Sequence, residues 1–200
     1  MFTIVPASRA DIRDTAVVLA SAFSNDTVMA TLVVGEAREA RLTLLFSGLM
    51  RSGALKHGRI DLARRDSDGA IVGAAIWVPP GPSTSLLSEL RELPTFLRAL
   101  GWRGLREAIR LRTTLARHRP MEPHWYLAQI GVSAQARGAG VGSALLASRL
   151  EKVDSEHAPA YLESSNERNR ALYGRHGFVT IATVGGIPDS APAAMWRVAA

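Results

Sequence analysis

The sequence predicts a mixed α/β fold in a single domain, and three observations carry that reading. Short runs of β-type residues alternate with longer stretches of helical periodicity. No repeat, low-complexity tract or linker divides the 200 residues, a length that suits one domain over 1–200 burying roughly 70% of its unfolded surface. At the centre a strand runs through a glycine-rich turn, "ARGAGVGSALL" at 136–146, into a helix and then a second strand.

Taken in order, Ser8 with Asp11 three residues on forms a short-armed capping box that opens a helix over about 8–23, and a second helix covers roughly 36–56, with Ala40, Leu44, Leu45, Leu49 and Met50 at helical spacing. Two β-type runs flank "DSDG", a hairpin signal, and the prolines at 79, 80 and 82 stop the second of them. Residues 84–118 read as two helices broken near Gly101–Gly104, with Pro94 kinking or starting the first. Strands follow at 124–132 and 160–164, separated by a helix over 140–154. A short helix over 166–178 ends at Gly177, "FVTIATV" returns as a strand, and "AAMWRV" supplies the last one.

Composition excludes several function classes. The chain is 47% hydrophobic and 21% charged, as in globular proteins, and no apolar run approaches the ~20 residues needed to span a bilayer. The opening "MFTIVPASRADIRD" lacks the pattern of a secretion signal. Cysteine is absent, which rules out disulfides, thiolate zinc sites and a cysteine nucleophile, and fits a cytoplasmic location. Neither HExxH nor GxSxG occurs, and no metal is expected. The formal charge of +6 is matched by residues 91–119 alone, where eight arginines face only Glu92 and Glu107. Such a stretch reads as a solvated helix face, or as a site for nucleic acid or another anion.

Gly138, Gly140 and Gly142 stand between a strand and a helix start, the arrangement that presents free backbone N–H groups to an anion. A tight turn without a ligand is the plain alternative. The P-loop spacing GxxxxGK[ST] is missing, and the dinucleotide pattern GxGxxG fails at Ser143. Arg137-Gly138-Ala139-Gly140-Val141-Gly142 does fit (Q/R)xxGx(G/A). This loop resembles the acetyl-CoA pyrophosphate loop of the GNAT acyltransferase superfamily. "QIGVSAQARG" before it is similar to that superfamily's pantetheine-pairing strand, and "YLESSNERNRALYGRHGF" after it to the second strand, asparagine and "LYxxxGF" helix, so the likeness spans about 124–180. "HRPMEPHWYLAQIGVS", "PAYLES" and the "RN" before "LYGRHGF" resemble the puromycin N-acetyltransferase branch of the superfamily.

The resemblance implies the GNAT acyl-CoA N-acyltransferase fold, a central mixed, mostly antiparallel twisted sheet flanked by helices, with acetyl-CoA as co-substrate and a small-molecule amine as acceptor. It implies that Ile130, Gly131 and Val132 lie along pantetheine and that Arg137, Gly138, Ala139, Gly140, Val141, Gly142 and Ser143 hold the pyrophosphate. Asn166 and Asn169 are both candidates for the CoA-contacting asparagine, Asn166 being also a helix cap. Tyr173 takes the general-acid position, with an aromatic core anchor as its bland alternative; a phenol of pKa near 10 can protonate a departing thiolate. For the base, Glu163, His124 and water all remain open. Trp77, Trp102, Trp125 and Phe23 receive no role, and His118 and His176 read as surface residues. Residues 84–118 are expected on the acceptor side. No membrane partner is expected, nucleic acid is the minor reading, and a homodimer is left open. A protein amine as acceptor, or an acyl-CoA-binding sensor without catalysis, are the competing functions.

Overall fold

The computed structural model describes residues 1–55, 59–81, 86–187 and 189–199. Lys56, Pro82, Thr84 and Ser85, where the sequence predicts parts of the second helix, the strand stop and the third helical stretch, lie outside them.

The chain opens with a strand, β1 (Phe2–Pro6), before α1 (Ile12–Ala22). Ser8 donates both its amide and its hydroxyl to the Asp11 carboxylate, each at 2.7 Å, and so sets the start of α1. Next comes α2 (Thr27–Leu32), whose N-cap Asp26 accepts from the Met29 amide at 2.9 Å. α3 (Arg38–Leu49) runs on through a π turn at Met50–Ala54. The hairpin pairs β2 (Arg59–Arg65) with β3 (Ile71–Val78), and Gly69, at φ +69°, takes the left-handed position of its turn. α4 (Leu86–Ala116) continues through Pro94 and breaks at Gly101, which has φ 64° and ψ 178°. Then follow β4 (Trp125–Val132), α5 (Val141–Ser155), β5 (Ala160–Ser164), α6 (Glu167–Arg175), β6 (Val179–Thr183) and β7 (Ala193–Arg197).

The described strands form one sheet in the order β1-β2-β3-β4-β5-β7-β6, and only the β4–β5 pair is parallel. This is the mixed, mostly antiparallel sheet expected. Two large cores and a smaller one around Tyr161 and Val184 cover its faces. On one, α5 buries Leu145, Leu146, Leu150 and Val153 against Trp77, Trp125, Leu127, Leu162 and Met195. On the other, Leu19 of α1, Leu42 and Phe46 of α3, and Leu100 of α4 pack on Leu62 and Ile76. A buried bidentate pair, Arg149 to Asp61, ties the second half of α5 to β2, with Nε at 2.8 Å from Oδ2. Trp77 and Trp125 are core residues, whereas Trp102 is 74% exposed.

β1 and α2 are additions to the elements that the sequence predicts. Five residues ending in proline carry too short an alternation to register as a strand, and α2 is under two turns long. Asp26 is the available signal for α2, an N-cap residue followed by an apolar run.

Gly104 explains how α4 meets α2. A Cβ there would lie 2.4 Å from the Leu32 carbonyl oxygen. Gly104→Ala is expected to destabilise by about 1–3 kcal/mol through overpacking. Gly174→Ala, in α6 with nothing within 4 Å of its Cβ, should be neutral or slightly stabilising. Denaturant midpoints of the two variants check this contrast.

Candidate active site

The site begins where β4 and β5 part. They pair only at Trp125–Ala160, Tyr126–Tyr161 and Leu127–Leu162. Beyond that point Gln129–Val132 pair with β3 alone, and Glu163 and Ser164 with β7 alone. Ala128 is the extra residue of a bulge, since Ile76 faces Gln129 while Trp77 faces Leu127. A bulge bends its own strand, and here it turns β4 away from β5. Alternate backbone groups along the open edge of β4 are therefore without a strand partner, and an extended amide-bearing ligand can complete the ladder. Ile130 and Val132 lie on this edge, half-buried against the α5 core. Gly131 lies there too, but its missing side chain serves α1: a Cβ would come within 2.8 Å of Ala22.

At the end of β4 the chain turns through Gly138 at φ 82° and Gly140 at φ 80°, the latter capping α5. The first helical bond runs from the Ala144 amide to the Gly140 carbonyl at 3.0 Å. The amides of Val141, Gly142 and Ser143 consequently have no acceptor within the helix. A Cβ at Gly138 or Gly140 would meet nothing within 4 Å, so the space over these amides is open. Gly142 differs, because its Cβ position is 3.5 Å from Leu172 and could be occupied. Ala139 and Arg137 are exposed, and the Arg137 guanidinium has no partner among the described residues. This cradle of oriented amides, with a free arginine beside it, fits a pyrophosphate.

His176 proves not to be a simple surface residue. Its ring is half-buried with Nε2 2.8 Å from Ser143 Oγ, at the rim of the cradle. Burial, together with the charges of Arg175 and Arg197, holds its pKa below the ordinary histidine value. His118 is also half-buried, with Nδ1 2.9 Å from the Thr114 carbonyl.

α6 lines the open side of the splay. Asn166 caps it, with Oδ1 accepting from the Asn169 amide at 2.9 Å. The Asn169 side chain, half-buried, has no partner among the described residues. Tyr173 is 5% exposed and sets its ring edge-on to Phe178 at 6.2 Å. Burial, and then the charge of Asp26, push its phenol well above the ordinary value, so it is held protonated. Asp26 itself accepts from Ser165 Oγ at 2.6 Å, which joins the start of α2 to the loop after β5.

Glu163, on the opposite sheet face from α5, sits where the strands begin to part. Its side chain is 6% exposed, with Oε2 accepting from the Tyr126 hydroxyl at 2.8 Å and Oε1 at 3.4 Å from Arg119 Nε. Burial and Glu163 push the Tyr126 and Tyr161 phenols upward. His124 precedes β4 with Nδ1 2.6 Å from the Glu122 carbonyl and its ring edge-on to Tyr161 and Trp196. Three steps along the strand take it to the last β4–β5 pair at Leu127, about 10 Å. Arg119 and Tyr126 lie within "HRPMEPHWYLAQIGVS" but are not singled out there, Asp26 lies in a segment without a motif, and only the fold brings them to Glu163 and Tyr173.

A sheet splayed between its parallel strands, with an anion cradle at one end of the gap and a buried phenol on the helix that follows β5, is the arrangement of an acyl-CoA N-acyltransferase fold. The acetyltransferase (GNAT) family model matches residues 55–178, and the chain belongs to that family. Its fold is shared end to end with a Corynebacterium glutamicum protein described as "histone acetyltransferase HPA2 and related acetyltransferase", at 32% identity and TM-score 0.77, covering 100% of this chain and 97% of that one. The ribosomal-protein-S18-alanine N-acetyltransferase of Escherichia coli shows the same fold at 13% identity and TM-score 0.58, over 100% and 96% of the two chains. An N-acetyltransferase of Schizosaccharomyces pombe is 42% identical over 55 residues, which is 28% of this chain and 22% of that protein. Acetyl-CoA is the co-substrate this fold implies. Among the described residues no three His, Asp or Glu side chains gather as metal ligands, and no helix is long and apolar enough to cross a membrane.

The lowered pKa of His176 sets a pH window. Its neutral form is favoured by the fold, so the contribution is full above the unfolded value near 6.5 and is lost as pH falls through the lower folded value. An NMR titration of the ring should give a midpoint below 6.5, and addition of CoA should raise it as pyrophosphate arrives beside Ser143. A midpoint above 6.5 in the free protein contradicts the assignment.

Proposed function

We propose that the chain transfers the acetyl group of acetyl-CoA to the primary amine of a small molecule, by direct attack of the amine on the thioester. The observation that carries this reading is the splay itself, with the Gly138–Ser143 cradle at one end and Tyr173 and Glu163 beside the gap. When bound, acetyl-CoA supplies the activated acetyl group. The chain's residues position it: Ile130, Gly131 and Val132 through the backbone edge of β4, Arg137 through Ser143 around the pyrophosphate, and Asn169 with its uncommitted side chain. Holding both reactants in register can contribute ~7–11 kcal/mol of the barrier. Tyr173 is the proposed proton donor to the departing sulfur; burial weakens the phenol as an acid, and the transfer is matched because the same burial raises the basicity of the thiolate.

Both Glu163 oxygens already accept hydrogen bonds, and His124 stands about 10 Å from the parting of the strands. We therefore assign removal of the amine proton to water, with Glu163 as an orienting group. The acceptor side supports a small molecule over a protein segment, because the Ser165–Asp26 bond draws α2 across the loop after β5. α4, with His118 and Arg119 after it, supplies the other wall. The puromycin-type segments favour an antibiotic-modifying enzyme, with puromycin as the first acceptor to try. The Corynebacterium relative's name is the specific reason to keep a protein amine as the second reading.

Free-thiol release from acetyl-CoA, followed with puromycin, a panel of small amines and a basic peptide, tests the acceptor class. Tyr173→Phe should lower kcat by about 10²- to 10⁴-fold with little change in acetyl-CoA affinity. Gly140→Glu should abolish acetyl-CoA binding while the protein stays folded by circular dichroism. Gly140→Ala carries the same left-handed strain, about 1 kcal/mol, without the charge, and should retain measurable binding. Unchanged affinity in Gly140→Glu removes the loop from the site.

A further inference from the structure

We propose that Arg119 is the anchor for a carboxylate or similar anionic group on the acceptor, so that the preferred substrates are amines carrying a negative charge. This rests on the acetyl-transfer reading above and names the acceptor class within it.

Of the eight arginines in 91–119, seven are exposed and Arg119 alone turns inward. The chain leaves α4 through a tight turn, with the Arg119 amide 3.3 Å from the Ala116 carbonyl, and Pro120 follows at once. The guanidinium then lies over the Tyr126 ring, Cζ 3.7 Å from its centroid. A cation stacked on an aromatic face is held in orientation as well as attracted. Nε directs its hydrogen to Glu163 at the long distance of 3.4 Å. The four remaining N–H donors have no partner among the described residues, on a side chain that is still 33% exposed. Arginine positioned this way, with its planar fork left free, matches the bidentate geometry of a carboxylate.

Two further features point to a ligand at the same place. The Tyr161 hydroxyl is fully buried beside Glu163 without a well-formed hydrogen bond, its ring stacked 6.1 Å from that of Tyr126. Tyr126 and Tyr161 also stand just before β4 and β5 separate, which puts Arg119 beside the gap rather than at the periphery. Glu163 thereby acts on the acceptor through Arg119, as a positioning residue.

The test uses a series of straight-chain ω-amino acids of increasing methylene number, each with its amide, so that the carboxylate is present or masked. Wild-type protein should favour the acid over its amide at one or two chain lengths, by about 10- to 100-fold in kcat/KM and chiefly through KM. Arg119→Gln should erase that ratio by lowering the acids far more than the amides, while Arg119→Lys should restore part of it. Equal rates for acids and amides in the wild type, or equal loss for both in Arg119→Gln, overturn the proposal. Calorimetric binding of the acids to protein saturated with CoA decides the same point without turnover. If acids bind there and the binding depends on Arg119, the anion site stands even where no amine is acetylated, and it is then the transfer reaction that fails.

Discussion

β4 and β5 form the one parallel contact among the described strands, and they hold it for three residue pairs. A sheet normally satisfies each backbone group with a neighbour, and a buried unsatisfied group is costly. Here the bulge at Ala128 and the departure of Glu163 toward β7 leave the inner edge of β4 open in the middle of the molecule. The surrounding elements are arranged around that defect. α1 closes against one face through Gly131, α5 covers the other, and α6 runs alongside with Tyr173. A groove whose walls are backbone edges asks little of sequence at the level of side chains, which accounts for a common fold at 13% identity with the Escherichia coli enzyme.

The position of the cradle depends on how firmly α5 is seated. Its amides are oriented only as well as the helix axis is, and the axis is fixed from two ends. At the start, Val141 is buried against β3, while Ser143 meets His176 of the segment after α6. Toward the end, the Arg149–Asp61 pair pins the helix to β2 within an apolar layer that includes Trp125. A buried ion pair contributes modest net stability because both charges lose water. Its directionality gives α5 a rotational register that the leucines, which slide easily past one another, do not impose alone.

Legibility in the sequence follows the size and locality of the signals. The glycine loop, α5 and the two central strands are dictated by neighbours a few residues apart, and they lie where their patterns place them. The hairpin turn and the break at Gly101 are equally local. β1 and α2 are short and depend on tertiary partners: β1 on the edge of β2, α2 on the groove that Gly104 leaves in α4. His176 reads as exposed because a lone histidine after a helix has no local mark of burial; its partner Ser143 is 33 residues away. Arg119 is hidden differently. Its place in "HRPMEP" says nothing of burial, and only the fold, by laying it on Tyr126, separates it from the other arginines of a solvated face.

The two sides of the splay differ in how they present charge, and that difference bears on how an amine loses its proton. On the cofactor side the positive potential comes from backbone amides fixed in direction by α5, with the exposed Arg137 beside them, and in the proposed reading it faces a phosphate. On the acceptor side it comes from a side chain, Arg119, whose charge is only partly offset by a carboxylate at 3.4 Å. In the proposal an acceptor carboxylate paired with Arg119 leaves the charge of Glu163 uncompensated, and a net negative site holds the amine as its ammonium. The proton then has to pass to water as the amine meets the thioester, which accords with a Glu163 already engaged by Tyr126 and Arg119. A neutral acceptor leaves Arg119 against Glu163 alone, and the fork keeps its hydration, so the one contact selects the acceptor and sets how late its proton departs.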